Sequence, residues 1–396
     1  MTTPNRSGTY LSVLVFLSST HLLNDLMQSL IPASYPILKE TYALDFVQIG
    51  FITLTFQIAG ALLQPVIGMV TDRHAAPYSP VVGMMFTLSG LVNLAFVQTY
   101  EMILVSVALI GIGSSIFHPE ATRMARYAAG KRQGLAQGIF QVGGQTGGAL
   151  GPVFAALIIV PYGQSSLAWF AVLALVAMML LIWIGSKQRE ISAEFMAIQA
   201  RRKTEAETPI HTPLTISIGL VVLTFLMFTK NFYGESFRSF YTFYLIERFG
   251  LSIPASQLML FVFLLAAAVG VFLGGIVGDR IGRYKIIWIS VLGPLPFTLV
   301  LPYADLLWTG VLTITINVIM ASAFASILIY AIELMPNRIG LIGGLFYGLN
   351  FGLGGVAAGC LGVLAENYGV EMVYFVCSFL PLAGLMAWFL PRIEEG

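Results

Sequence analysis

This 396-residue chain predicts an all-α integral membrane protein: twelve transmembrane helices in two pseudo-symmetric six-helix bundles. Three observations carry that prediction. Apolar residues make up 57% of the chain and charged residues 10%, against about 25% charged in a soluble domain. Such a chain cannot cover a water-facing surface and belongs in a bilayer. Apolar stretches long enough to cross a membrane recur along its whole length. Finally, a short segment occurs twice: Gly68-Met69-Val70-Thr71-Asp72-Arg73 ends one apolar run, and Gly275-Ile276-Val277-Gly278-Asp279-Arg280 ends another, 207 residues on. Arg132, Gly134, Gly138 and Gly148 likewise recur as Arg338, Gly340, Gly344 and Gly354, 206 residues apart. A duplication of half a membrane chain predicts two similar bundles around a central site.

The first bundle occupies residues 1–186, with spans near 10–36, 46–71, 78–98, 101–128, 133–160 and 165–186. Residues 187–213 read as a polar surface linker with one amphipathic helix; they hold Lys187, Arg189, Arg201, Arg202 and Lys203 beside several Glu residues. The second bundle occupies 214–396, with spans near 214–248, 254–278, 284–303, 306–333, 339–366 and 370–391. With the N-terminus inside, 15 of the 20 basic residues fall on the cytoplasmic side and only Lys39 and Arg248 on the outer side. Both termini and both copies of the repeated segment are therefore expected in the cytoplasm. Arg123, Lys230 and Arg238 fall inside spans.

A net charge of +1 leaves no basic surplus for a nucleic-acid partner. Cys360 and Cys377 lie in apolar runs without metal-ligand spacing and read as reduced core residues. No cofactor and no metal are expected. The first apolar run carries His21, Asn24 and Asp25 and lacks a small-residue cleavage site, so it is expected to remain as a helix.

The repeated segment has a physical reading. Its glycines (Gly68, Gly275) let helices approach closely, and Asp72 and Asp279, with Arg73, Arg280 and Arg283, form helix-end contacts that open and close with conformation. In the 2–3 loop and again in the 8–9 loop, this pattern resembles the major facilitator superfamily. The 2–3 copy departs from it after Arg73, where His74-Ala75-Ala76-Pro77 replaces the usual Gly-Arg continuation.

Within that superfamily nearly the whole chain resembles the fosmidomycin resistance proteins. The resemblance rests on Ser19-Thr20-His21-Leu22-Leu23-Asn24-Asp25, on Gly113 to Glu120 with its Phe-His-Pro-Glu end, on Gly134 to Gln137 running to Phe140-Gln141-Val142-Gly143-Gly144, and on Tyr241-Thr242-Phe243-Tyr244-Leu245. It implies a proton-driven exporter of phosphonate antibiotics in the bacterial inner membrane, a monomer, with helices 1, 4, 7 and 10 lining the central cavity.

The residues themselves supply a polar site on those helices. His21, Asn24, Asp25 and Gln28 fall at i, i+3, i+4 and i+7 and share one helix face. Charges at mid-span are costly and usually functional. Helix 4 carries His118, Pro119, Glu120 and Arg123; Pro119 removes a backbone bond, and Glu120 and Arg123 pair at i, i+3. On helix 5, Gln137, Gln141 and Gln145 alternate with glycines suited to close packing. Helix 7 places Lys230 on one face with Tyr233, Phe237, Tyr241 and Tyr244, while Glu235 can pair with Arg238. Glu333, at the end of helix 10, reads as a gate contact.

These residues predict Arg123 and Lys230 as a clamp for an anionic substrate. Asp25, Glu120 and His21 act as proton carriers, and Asn24, Gln28, His118, Gln137, Gln141, Tyr241 and Tyr244 line the site. Static hydrogen bonding and ion pairing within the bundle is the competing reading for each. The rival functions are an uptake symporter for an organic anion and a sensor or scaffold that kept the fold. An intramembrane enzyme is disfavoured, since neither HExxH nor GxSxG occurs in a sensible context.

Overall fold

The computed structural model describes residues 10–73, 76–129, 133–202, 212–323, 326–327, 330–331, 334–335 and 339–391. Among them the chain is helical from end to end and contains no strand. Helix is the form that spans, because a membrane leaves no water to satisfy exposed backbone groups.

α1 (Leu11–Ala33) breaks at Ser34 into α2 (Tyr35–Tyr42), with Pro36 near the start of the second segment. α3 (Phe46–Arg73), α4 (Ser79–Phe96) and α5 (Tyr100–Ala128) follow, with Pro119 inside α5. α6 (Gln133–Phe154) passes into a π-turn over Ala155–Ile159, three residues after Pro152. A 3₁₀ stretch (Gln164–Phe170) leads into α7 (Ala171–Arg202).

α8 (Pro213–Phe249) is capped by the Thr212 hydroxyl, which accepts from Thr215 N, and ends on Gly250 at φ +65°. α9 (Ile253–Ile281) precedes α10 (Arg283–Leu292); Pro294 then separates α10 from α11 (Leu295–Val300). α12 (Leu306–Ala321) is capped by Asp305, and α13 (Ile339–Tyr368) ends at Gly369 with φ +83°. α14 (Val370–Cys377) and a 3₁₀ stretch (Leu380–Phe389) complete the described chain.

Nine of these segments are long and apolar enough to cross a membrane, counting described residues only, and α12 is a shorter apolar helix. α1 is not among the nine, because His21, Asn24, Asp25 and Gln28 interrupt its apolar run. Residues 187–202 of the expected linker are helical, the helix expected there being a direct continuation of α7. Residues 187–202 hold no Gly or Pro and are mostly Lys, Arg, Gln, Glu, Ala and Met, all good helix formers, so nothing stops the helix.

Glycine sets the closest contacts. Gly143, Gly147 and Gly151 put one face of α6 directly on the α1 backbone at Ser18, Leu22 and Ser29. α3 lies along α13, where a Cβ on Gly50 would stand 2.6 Å from the Ala358 carbonyl oxygen and one on Gly362 2.5 Å from that of Phe46. α6 also packs on α9. These two pairings join helices before residue 202 to helices after residue 213.

Further links gather at the end of α3 that begins with Phe46. Phe46 N donates to Glu366 Oε2 (2.8 Å). Gln257 Nε2 donates to the Ala33 carbonyl (2.9 Å). Lys39 Nζ sits 4.5 Å from the Phe46 ring centroid, a cation–π contact.

Candidate functional site

The polar face of α1 meets α5 and α6. Asp25 lies at its centre: Oδ2 is 3.2 Å from His21 Nε2, and Oδ1 is 3.5 Å from Nε2 of His118 on α5. Each histidine is held from behind. His21 Nδ1 donates to the Phe140 carbonyl of α6 (2.9 Å), and the ring stacks on Phe140 with centroids 4.1 Å apart. His118 Nδ1 donates to the Ser114 carbonyl (3.0 Å), one turn back on α5.

Asn24 Nδ2 donates to Asp25 Oδ1 (3.0 Å), and Ser114 Oγ donates to Gln28 Oε1 (3.2 Å). Gly144 supplies the wall on α6: a Cβ there would stand 2.5 Å from His21 Nε2 and 2.9 Å from Asp25 Oδ2. A quarter of the Asp25 side chain remains accessible. Asn24 Oδ1 and Gln28 Nε2 are buried without a hydrogen-bond partner among the described residues, a condition that costs free energy unless a ligand or water answers it.

Further along α5, Arg123 pairs with Glu120 (3.2 Å). Glu120 also accepts from Gln188 Nε2 of α7 (2.5 Å), so the pair ties α5 to α7. The Arg123 side chain keeps 14% of its surface exposed, whereas Glu120 keeps 1%.

On α8 the structure orders the charges differently from the sequence expectation. Lys230 Nζ donates to Ser290 Oγ of α10 (3.3 Å). Tyr241 and Tyr244 are fully buried in an aromatic group with Phe237, Phe263 and Tyr374. The Tyr241 hydroxyl is 3.4 Å from Thr313 Oγ1.

The face that meets the first half of the chain is that of Glu235. Its Oε2 accepts from Gln57 Nε2 of α3 (3.0 Å) and lies 3.4 Å from Arg238; its Oε1 accepts from Ser239 Oγ (2.7 Å). Ser239 continues to Thr53 (3.1 Å) and Thr53 to Tyr35 (2.6 Å). Gly354 of α13 leaves room for this contact. Arg238 is half exposed, 49%, on the helix face it shares with Asn231 and Gly234.

Sequence reasoning pairs Glu235 with Arg238 but misses Glu235 as a cross-helix acceptor. A carboxylate at mid-span was the available signal. Of the remaining candidates, Gln141 is part-buried on α6, Arg280 is exposed in the last turn of α9, and Arg283 starts α10. The side chains of Gly68, Asp72, Arg73, Gln137, Gly275 and Asp279 lie outside the described set, as does Glu333.

A long helical array with charges held between helices is the architecture of a membrane carrier, and the sequence profile of the Major Facilitator Superfamily matches residues 17–359. The chain belongs to that superfamily. As a superfamily member it is a multi-pass membrane transporter. It is 50% identical over 389 residues to the fosmidomycin resistance protein of Escherichia coli K12, covering 98% of this chain and 94% of that one. It is 39% identical to the uncharacterized MFS-type transporter YfnC of Bacillus subtilis, covering 97% and 93%.

Among solved structures the fold is similar to a bacterial homologue of the human lysosomal transporter Spinster, in an inward-facing and occupied conformation. That match has a TM-score of 0.68 at 15% identity and covers 98% of this chain and 95% of the other. A mutant of the nucleoside transporter NupG matches with a TM-score of 0.68 at 17% identity, covering 96% and 97%. At these identities the two structures speak for the fold alone.

Proposed function

We propose that this superfamily member is a proton-coupled antiporter that exports small anionic compounds, with fosmidomycin-like phosphonates as the leading substrates. The reading has it work as a monomer of two six-helix bundles, residues 1–186 and 214–396, with both termini in the cytoplasm of a bacterial inner membrane. The observation that carries it is the accessible Asp25 carboxylate held between His21 and His118. Its support from relatives is the 50% identity to a fosmidomycin resistance protein.

As a carboxylate, Asp25 accepts a donor O–H or N–H of the substrate; protonated, it offers one acceptor fewer and no charge. Substrate and proton therefore compete for one group, and such competition is what exchange requires. Protons arriving from outside displace the substrate outward. Arg123 supplies positive charge for the anionic end, and Arg238 takes the place first given to Lys230, because its side chain is the half-exposed one. A guanidinium suits a phosphonate through paired N–H donors. Glu235 holds Arg238 when no anion is bound, and Glu120 keeps its pair with Arg123 as the anion binds. Because Glu235 also accepts from Gln57 of α3, handing Arg238 to a substrate is felt where the two halves meet, which is the coupling alternating access needs.

One observation favours a second reading. If the anion takes Arg123 from Glu120, the released Glu120 binds a proton together with the substrate, which is symport. The sign of proton exchange on binding separates the two. Purified protein in weakly buffered detergent, mixed with fosmidomycin, is expected to release protons, and Asp25→Asn is expected to abolish the release. Proton uptake on binding would overturn antiport in favour of symport.

A further inference from the structure

We propose that His21, Asp25 and His118 form a binding site for a first-row transition-metal dication of the zinc class. The nearest ligand atoms of the three side chains lie within 4.8 Å of one another. Each imidazole faces its own oxygen of the carboxylate, His21 Nε2 at 3.2 Å from Oδ2 and His118 Nε2 at 3.5 Å from Oδ1, both near the ligand-to-ligand spacing of a tetrahedral site. Bonds of about 2.0–2.1 Å to nitrogen and oxygen place neighbouring ligands about 3.3–3.4 Å apart.

The hydrogen bonds behind the rings fix which nitrogen faces inward. The Phe140 carbonyl only accepts, so His21 Nδ1 carries the hydrogen; His118 Nδ1 faces both the Ser114 carbonyl (3.0 Å) and the Ser114 hydroxyl (3.1 Å), and as donor to the carbonyl it too leaves Nε2 turned to Asp25. In the neutral ring each Nε2 is then a lone pair turned toward a carboxylate. Such an arrangement calls for positive charge, either as protons on the rings or as a cation among the three ligand atoms. An Nδ1–H donated to a backbone carbonyl is also the outer contact by which metal-ligating histidines are oriented.

A second, independent observation points the same way. Asn24 is fully buried beside Asp25, to which its Nδ2 donates (3.0 Å), and its Oδ1 has no partner among the described residues, an orphaned acceptor that a bound water or ion would answer. Gly144 has no Cβ to obstruct the centre, and the exposed quarter of Asp25 gives a path in. Two imidazoles and one carboxylate suit zinc, nickel or cobalt, whereas magnesium and calcium require oxygen ligands. A bound dication would fix α1 to α5 and occupy the Asp25 oxygens, making the site inhibitory for the carrier.

The test is equilibrium dialysis of chelator-stripped, untagged full-length protein in lipid nanodiscs against Zn2+, with visible absorption of Co2+ as a report of four-coordination. One Zn2+ per chain is expected. Its affinity should fall at least about tenfold in His118→Gln and in Asp25→Asn. His21 packs on Phe140 and Gly144, so thermal unfolding of each variant checks that it is folded. The double variant His74→Ala/His211→Ala should bind as the parent does. Absence of stoichiometric Zn2+, binding that survives His118→Gln, or binding lost in the His74/His211 variant would each overturn the proposal. None of these results depends on transport, so the metal site and the antiport reading fail separately.

Discussion

Replacing Gly144 by Ala puts one methyl group into the most crowded part of the site. The new Cβ would stand 2.5 Å from His21 Nε2 and 2.9 Å from Asp25 Oδ2. Ordinary contact begins near 3.4 Å, so the His21 ring has to move by about 0.9 Å. It is pinned by its stack on Phe140 and its bond to the Phe140 carbonyl. The movement lengthens the 3.2 Å contact with Asp25 out of hydrogen-bond range. Overpacking of this kind costs about 1–3 kcal/mol, a factor of about 5 to 150 in the population of the intact cluster. Gly138 and Gly148 lie on the same helix, and a Cβ at either meets nothing within 4 Å. Fosmidomycin export driven by a pH gradient in proteoliposomes should fall by that factor in Gly144→Ala and stay at the parental rate in Gly138→Ala and Gly148→Ala. Equal loss in all three would show that α6 needs glycine for general flexibility. A fully active Gly144→Ala would show that the His21–Asp25 contact does not matter.

Other substitutions test the remaining contacts. Arg123→Ala removes the guanidinium 3.2 Å from the buried Glu120; losing one partner of a buried pair costs about 3–5 kcal/mol, so a lowered melting temperature together with lost substrate binding is expected. Glu235→Gln keeps the size of the side chain but removes the carboxylate shared by Gln57, Ser239 and Arg238. It should retain the fold and lose most transport, and normal export would remove the cross-helix contact from the mechanism. Tyr241→Phe deletes a hydroxyl whose bond to Thr313 is long, 3.4 Å. A stability change of about 1 kcal/mol or less with unchanged KM is expected, and a raised KM would restore Tyr241 to the substrate site.

The contrast among these residues shows what sequence periodicity can and cannot reach. The α1 cluster is legible because His21, Asn24, Asp25 and Gln28 repeat at helical spacing and are too polar for a mid-membrane position without a use. Its partner His118 is legible only as another polar residue on helix 4; that its Nε2 turns to Asp25, 93 positions away, is a product of packing. Glu235 is hidden for the opposite reason. Arg238 lies three residues on and accounts for the charge locally, so nothing in the sequence calls for Gln57, 178 positions away. For Lys230 and Arg238 an 80° difference in helical angle cannot say which of two faces meets the neighbouring half. Ser290, Phe263 and Tyr374 decide it, turning the face of Lys230 and the tyrosines into the interior. The helix expected within the linker is legible from residue-by-residue helix preference, and its unbroken continuation from α7 to Arg202 follows from the absence of Gly and Pro over 187–202.

The most direct test of the central claim is transport in proteoliposomes loaded with fosmidomycin and an internal pH dye, under an imposed pH gradient. The account predicts fosmidomycin leaving the compartment against proton entry, with both fluxes lost together in Asp25→Asn. Fosmidomycin moving in the same direction as protons, or moving at full rate with no proton flux, would contradict it.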